Sequence, residues 1–159
     1  MIKLTDDVCD KNMAIHRFFA IPCGLIYGLL MGYLMIVDVG ASLLFGGIVI
    51  GCLITGKINN TGHYFGLFGL LVVNFIYGIN LSPLVLLIGA LAAMDELNDI
   101  IHVPGSLKFV FDYRLILKIG ILISVILNIL KLNTLIILIV FDLAYISMDY
   151  LTSRFSNEI

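Results

Sequence analysis

From Phe18 to Val37 the chain runs twenty residues without a charged side chain. A helix of that length rises about 30 Å, the thickness of a bilayer's hydrocarbon core. Comparable apolar runs follow it to the end of the chain, separated by short polar breaks. In lipid, every backbone N–H and C=O must be satisfied inside its own segment or in a closed barrel, and continuous apolar runs select helices. Composition agrees. Across 159 residues, 61% are apolar and 13% charged, against about a quarter charged in an ordinary soluble domain. A disordered chain and a disulfide-stapled secreted domain are excluded. Nine basic and eleven acidic residues give a net charge of −2, so no basic surface calls for nucleic acid. The expected fold is an all-α polytopic integral membrane bundle of six transmembrane helices.

The spans are expected at about 14–37, 41–56, 64–80, 83–102, 113–130 and 134–153, within a single transmembrane domain, 1–159. The first stops at Asp38-Val39-Gly40, and the second at Lys57, before the polar turn Ile58-Asn59-Asn60-Thr61-Gly62-His63. Pro83 opens the fourth, as suits a residue with no N–H to leave unpaired. Its uncharged part ends at Met94 after a rise of about 18 Å, too little to cross. The helix is therefore expected to continue to His102, where Val103-Pro104-Gly105 ends it. The run after the polar segment 1–13 is too long for a signal-peptide core, so it reads as a retained span. A five-span alternative, fusing the second and third runs, would bury Lys57 and its polar neighbours in mid-membrane and ranks below.

Cytoplasmic ends of spans collect Lys and Arg. With the N-terminus inside, Lys3, Lys11, Arg17, Lys57, Lys108, Arg114, Lys118 and Arg154 fall on or near the inner side, and only Lys131 outside. The expectation is a multi-pass protein of the cell membrane with both termini in the cytoplasm. Gly24, Gly28 and Gly32 on span one, Gly47 and Gly51 on span two, Gly62 and Gly66 at the start of span three, and Gly89 and Ala93 on span four recur every four residues. Such stripes let helix backbones approach in lipid. Spans one to four are expected to form the core, with the Ile- and Leu-rich spans five and six facing lipid. With no Trp, the candidate interface anchors are Tyr27, Tyr33, Tyr77, Tyr113 and Tyr150. Cys9, Cys23 and Cys52 have no metal spacing and read as free thiols.

Four features could carry chemistry. On a helix, Asp95, Asp99 and His102 fall at i, i+4 and i+7 on one face, with Glu96 about 100° away. Carboxylates at that depth need water, cations or a metal. The functional reading is a metal- or proton-handling cluster at the inner end of span four; the competing reading is a solvated turn after Met94. In the turn before span three, Lys57 and His63 could bind a phosphate, with Thr61 capping the helix; the alternative is a polar hairpin with a snorkelling lysine. On span six, Asp142, Tyr145 and Asp149 share a face. Asp142 is the intramembrane acid, either functional or a structural acid hydrogen-bonded to a tyrosine or backbone group, and Asp149 reads as an interface residue. His16 and Arg17 enter span one at the inner side, where an arginine usually anchors the interface.

Asp95-x-x-x-Asp99 resembles one aspartate-rich stretch of the UbiA-type polyprenyltransferases, a resemblance that implies magnesium held for a diphosphate. It covers a handful of residues, and the chain has no second DxxxD and is assigned to no family. Two principal functions remain open. One is a metal-dependent enzyme acting on a phosphate-bearing lipid: Asp95 and Asp99, with Glu96, would hold Mg2+; Lys57, Arg17 and Arg114 would neutralise the phosphate; and His63 or His102 would move protons. The other is a small ion- or proton-coupled transporter using Asp95, Asp99 and Asp142. A third is a non-catalytic assembly subunit.

Overall fold

A computed structural model describes residues 20–79, 81–96, 110 and 113–157, apart from the side chains of 149 and 152–157. Among the described residues there are six helices and no strand: α1 Ala20–Val37, α2 Val39–Ile54, α3 Thr61–Tyr77, α4 Leu84–Asp95, α5 Leu115–Ile126 and α6 Leu132–Asn157. Each falls on one of the six expected segments. By length and composition, α1 alone is clearly long and apolar enough to cross a membrane, with a mean hydropathy of 2.0 over 18 residues. The other apolar helices are shorter, including the stretch Leu132–Met148 of α6. The expected continuation of α4 to His102 lies outside the described residues.

Local chemistry sets the helix ends. Asp38 lies before α2 in extended conformation, and its carboxylate accepts the Ala41 N–H at 2.8 Å. At α3 the cap is Asn60, one residue earlier than the expected Thr61; its side chain accepts the His63 N–H at 2.9 Å. Two helices stop in the same way. After α2, Gly56 takes φ 71°, and the Lys57 N–H reaches back to the Cys52 carbonyl at 2.9 Å. After α5, Asn128 takes φ 57°, and the Ile129 N–H reaches the Ser124 carbonyl at 2.9 Å. A left-handed residue closes the last turn and satisfies carbonyls that would otherwise be orphaned. Two hydroxyls are satisfied locally: Thr55 and Ser124 each donate to the carbonyl four residues before, at 2.9 and 2.8 Å.

The chain divides into two compact units. The first comprises residues 1–36, 58–79 and 139–159. In it α1 and α3 run parallel, as the pairing of Gly24 with Gly62, Gly28 with Gly66, and Gly32 with Leu70 and Val73 requires. A Cβ on Gly24 or Gly28 would overlap the carbonyl of Gly62 or Gly66, so glycine here permits backbone-to-backbone contact. Tyr27, expected as an interface anchor, lies against Gly66.

The second unit comprises residues 37–57 and 80–138. Here α2 and α4 run parallel: Gly47 meets Ile88 and Gly89, and Gly51 meets Ala92. Helix α5 runs antiparallel to α4, with Leu91 over Gly120 and Asp95 beside Ile116 and Leu117. The start of α6 meets the start of α2 through Gly40 and Thr134, and Asn133 donates to the Asp38 carboxylate at 2.6 Å. The glycine stripes thus close contacts within each unit, α1 with α3 in the first and α2 with α4 in the second. Leu117, Ile121 and Ser124 of α5 are buried, so span five contributes to packing as well as to an outer face.

Candidate functional site

Three helix ends of the second unit meet at one polar cluster. Lys57 follows the turn that closes α2, Asp95 and Glu96 end α4, and Arg114 precedes α5. Helix α4 finishes in a tightened turn: Glu96 has φ −87° and ψ −3°, and its N–H returns to the Ala93 carbonyl. The two adjacent carboxylates have different partners.

Asp95 is 4% exposed and serves α5. The Ile116 N–H donates to one carboxylate oxygen at 3.1 Å and the Leu117 N–H to the other at 2.7 Å. Arg114, the N-cap of α5, is left-handed at φ 50° and its side chain makes no capping bond. The first-turn N–H groups of α5 are thus capped from another helix. An anion at this position satisfies orphan donors and also meets the positive end of the helix dipole.

Glu96 serves the cations. Arg114 Nη2 donates to Oε1 at 2.9 Å, and Lys57 Nζ lies 3.3 Å from Oε2. The Glu96 side chain is 14% exposed, against 35% for Lys57 and 28% for Arg114, so the carboxylate is innermost and the cations keep contact with the outside. Charge balances within the cluster, with Lys57 and Arg114 against Asp95 and Glu96. Lys118 stays at the same end of α5, donating to the Tyr113 carbonyl at 2.6 Å.

The other expected site residues lie elsewhere. His63 belongs to the first unit, in the opening turn of α3, where Nδ1 and the Tyr27 hydroxyl are 3.0 Å apart and the rings meet edge to face. Asp142 is on α6 in the part assigned to the first unit, half-buried. Arg17, Asp99 and His102 fall outside the described residues. Among the described residues, no three His, Cys, Asp or Glu side chains converge as a metal-binding group. Of the expected metal pair, Asp95 has each oxygen bonded to a backbone N–H, and Asp99 lies outside the described residues.

Sequence reasoning did not anticipate the Tyr27–His63 pair or the buried amide of Asn74. The Asn74 amide donates to the Leu70 carbonyl at 2.8 Å and faces Met35 Sδ at 3.7 Å, while its oxygen has no hydrogen-bond partner. A signal for the pair existed: Tyr27 adjoins Gly28, and His63 adjoins Gly62, on the two stripes that pack. No family model, curated protein or solved structure shows significant similarity to this chain.

Proposed function

We propose that the chain is a multi-pass protein of the cell membrane, with six transmembrane helices and both termini cytoplasmic, that holds a phosphate-bearing lipid at Lys57 and Arg114. The observation that carries the binding site is the convergence of these two cations from separate helix ends on the single carboxylate of Glu96. Basic pockets between helices at the cytoplasmic side suit anionic headgroups. A guanidinium offers a planar fork of donors and a lysine a mobile point charge, a combination that suits a phosphate monoester or diester. Glu96 keeps the two cations together and partly neutralised when no phosphate is present, and a headgroup competes with it for them.

Two features support the membrane reading. In the first unit α1 and α3 run parallel, and in the second α2 and α4 run parallel with α5 antiparallel to α4, directions that suit a chain crossing back and forth. Exposed surface is also apolar along helix after helix, with Phe75 at 92% as the extreme and Phe68, Leu86, Ile126 and Val140 all exposed. Contiguous apolar surface on this scale is a hydration penalty in water and neutral in lipid. The binding role is favoured over metal-dependent catalysis because Asp95 is committed to the backbone of α5.

The test is retention of lipid through purification in mild detergent, counted by native mass spectrometry. The wild type should keep phosphatidylglycerol in preference to phosphatidylcholine. Lys57→Gln and Arg114→Gln should each lower that retention about tenfold, the scale of one charge-assisted hydrogen bond, and Glu96→Gln should raise it. Equal retention of the two lipids, or no change in either cation variant, refutes the site. A C-terminal tag reached from outside intact cells refutes the topology.

A further inference from the structure

The described helices of the second unit are short for an ordinary bilayer, and two of them have both ends defined. Helix α2 has 16 residues and α4 and α5 have 12 each, giving rises of about 24, 18 and 18 Å. The ends of α2 and α5 are set by local backbone chemistry. Helix α2 is capped by Asp38 at one end and closed by Gly56 at the other. Helix α5 begins after the left-handed Arg114 and ends at the left-handed Asn128. Contacts between the helices keep these ends level. Asp95 bonds the first turn of α5, and Glu96 ties Lys57 to Arg114, so the three inner ends share one plane. At the other end, Asn133 is bonded to Asp38 beside the start of α2. Between the two polar planes the exposed side chains are apolar, including Val39, Leu53 and Ile54 on α2, and Ile119, Ile123 and Ile126 on α5.

Resting on the membrane reading above, we infer that this unit is matched to a hydrocarbon layer of about 18–24 Å, against about 30 Å in a typical bilayer, and that its lipid partner is a short-chain or locally thinned membrane. A helix shorter than the layer around it draws the layer inward or tilts upright, and its charged ends reach for the interface. Tilting cannot lengthen the span, and the ion pairs and cap at the inner plane prevent α4 and α5 from sliding apart to gain length. Thinning of the lipid is the remaining response. The headgroups it brings down arrive at the plane of Lys57 and Arg114.

Full-length wild-type protein reconstituted into vesicles of pure phosphatidylcholine tests this, with monounsaturated chains of fourteen, eighteen or twenty-two carbons. Flotation with the vesicles reports insertion, and the rate of loss of helical circular dichroism at a fixed elevated temperature reports fit. The expected result is flotation in all three and the slowest unfolding in the shortest chains, about tenfold slower than in the longest, as a mismatch of several Å predicts. Equal rates, or slowest unfolding in eighteen- or twenty-two-carbon lipid, overturn the thickness inference and leave the membrane reading standing. Failure to float with any of the three vesicles overturns both.

Discussion

Replacing Asp95 by alanine takes away the acceptor of two N–H groups in the first turn of α5, those of Ile116 and Leu117. The site is 4% exposed, so water does not readily take its place. Each buried donor left unpaired costs about 1–3 kcal/mol, which sets a gross loss of about 2–6 kcal/mol. Loss of the charge at the positive helix end adds about 0.3–1 kcal/mol. Against this, the variant no longer buries a carboxylate, which returns part of the total. The net expectation is a loss of about 2–4 kcal/mol for Asp95→Ala. Asp95→Asn keeps one acceptor oxygen and loses about half as much. Equilibrium unfolding in mixed detergent micelles measures both, with and without a chelator. Capping of α5 predicts the ordering wild type, Asn, Ala, unaffected by chelator. An alanine variant within about 0.5 kcal/mol of wild type would refute the capping role. A wild-type stability that chelator lowers to the level of Asp95→Asn would instead place a metal at Asp95.

Other perturbations probe separate parts of the structure. Arg114→Ala and Arg114→Gly both remove the guanidinium from Glu96, but alanine also keeps the strain of φ 50°; the glycine variant should unfold about 1 kcal/mol later, and equal stability would argue against a left-handed Arg114. Gly28→Ala places a Cβ on the Gly66 carbonyl and should destabilise the first unit by about 1–3 kcal/mol, whereas a neutral result would mean that α1 and α3 do not pack at this register. Asn74→Leu removes a buried oxygen that has no partner together with the amide, so stability should change by less than about 1 kcal/mol or rise; a large loss would show that the amide is used.

Much of the fold was legible because it depends on one segment at a time. A long uncharged run forms a helix wherever its backbone must satisfy itself, and breaks such as Asp38, Lys57 and Pro83 act on their own neighbours. The helix spacing of Gly24, Gly28 and Gly32, and of Gly47 and Gly51, also pointed correctly to close packing. It did not say which stripe meets which, since a glycine stripe is compatible with any other. The structure pairs α1 with α3 and α2 with α4.

The candidate site shows the same division more sharply. The sequence by itself established that carboxylates and cations gather at the same helix ends, because charge cannot sit cheaply elsewhere along apolar runs. Helical periodicity grouped Asp95 with Asp99 and His102 on one face and put Glu96 about 100° away beside it. For Asp95 and Glu96 the structure adds what periodicity does not carry: their partners lie on other elements. Only the tertiary structure gave Asp95 to the backbone of α5 and Glu96 to Lys57 and Arg114. The physical reason is that periodicity records the faces of a single helix, whereas the partner of a buried charge depends on which helix ends are brought level, and that is decided by steric fit between backbones far apart in the chain.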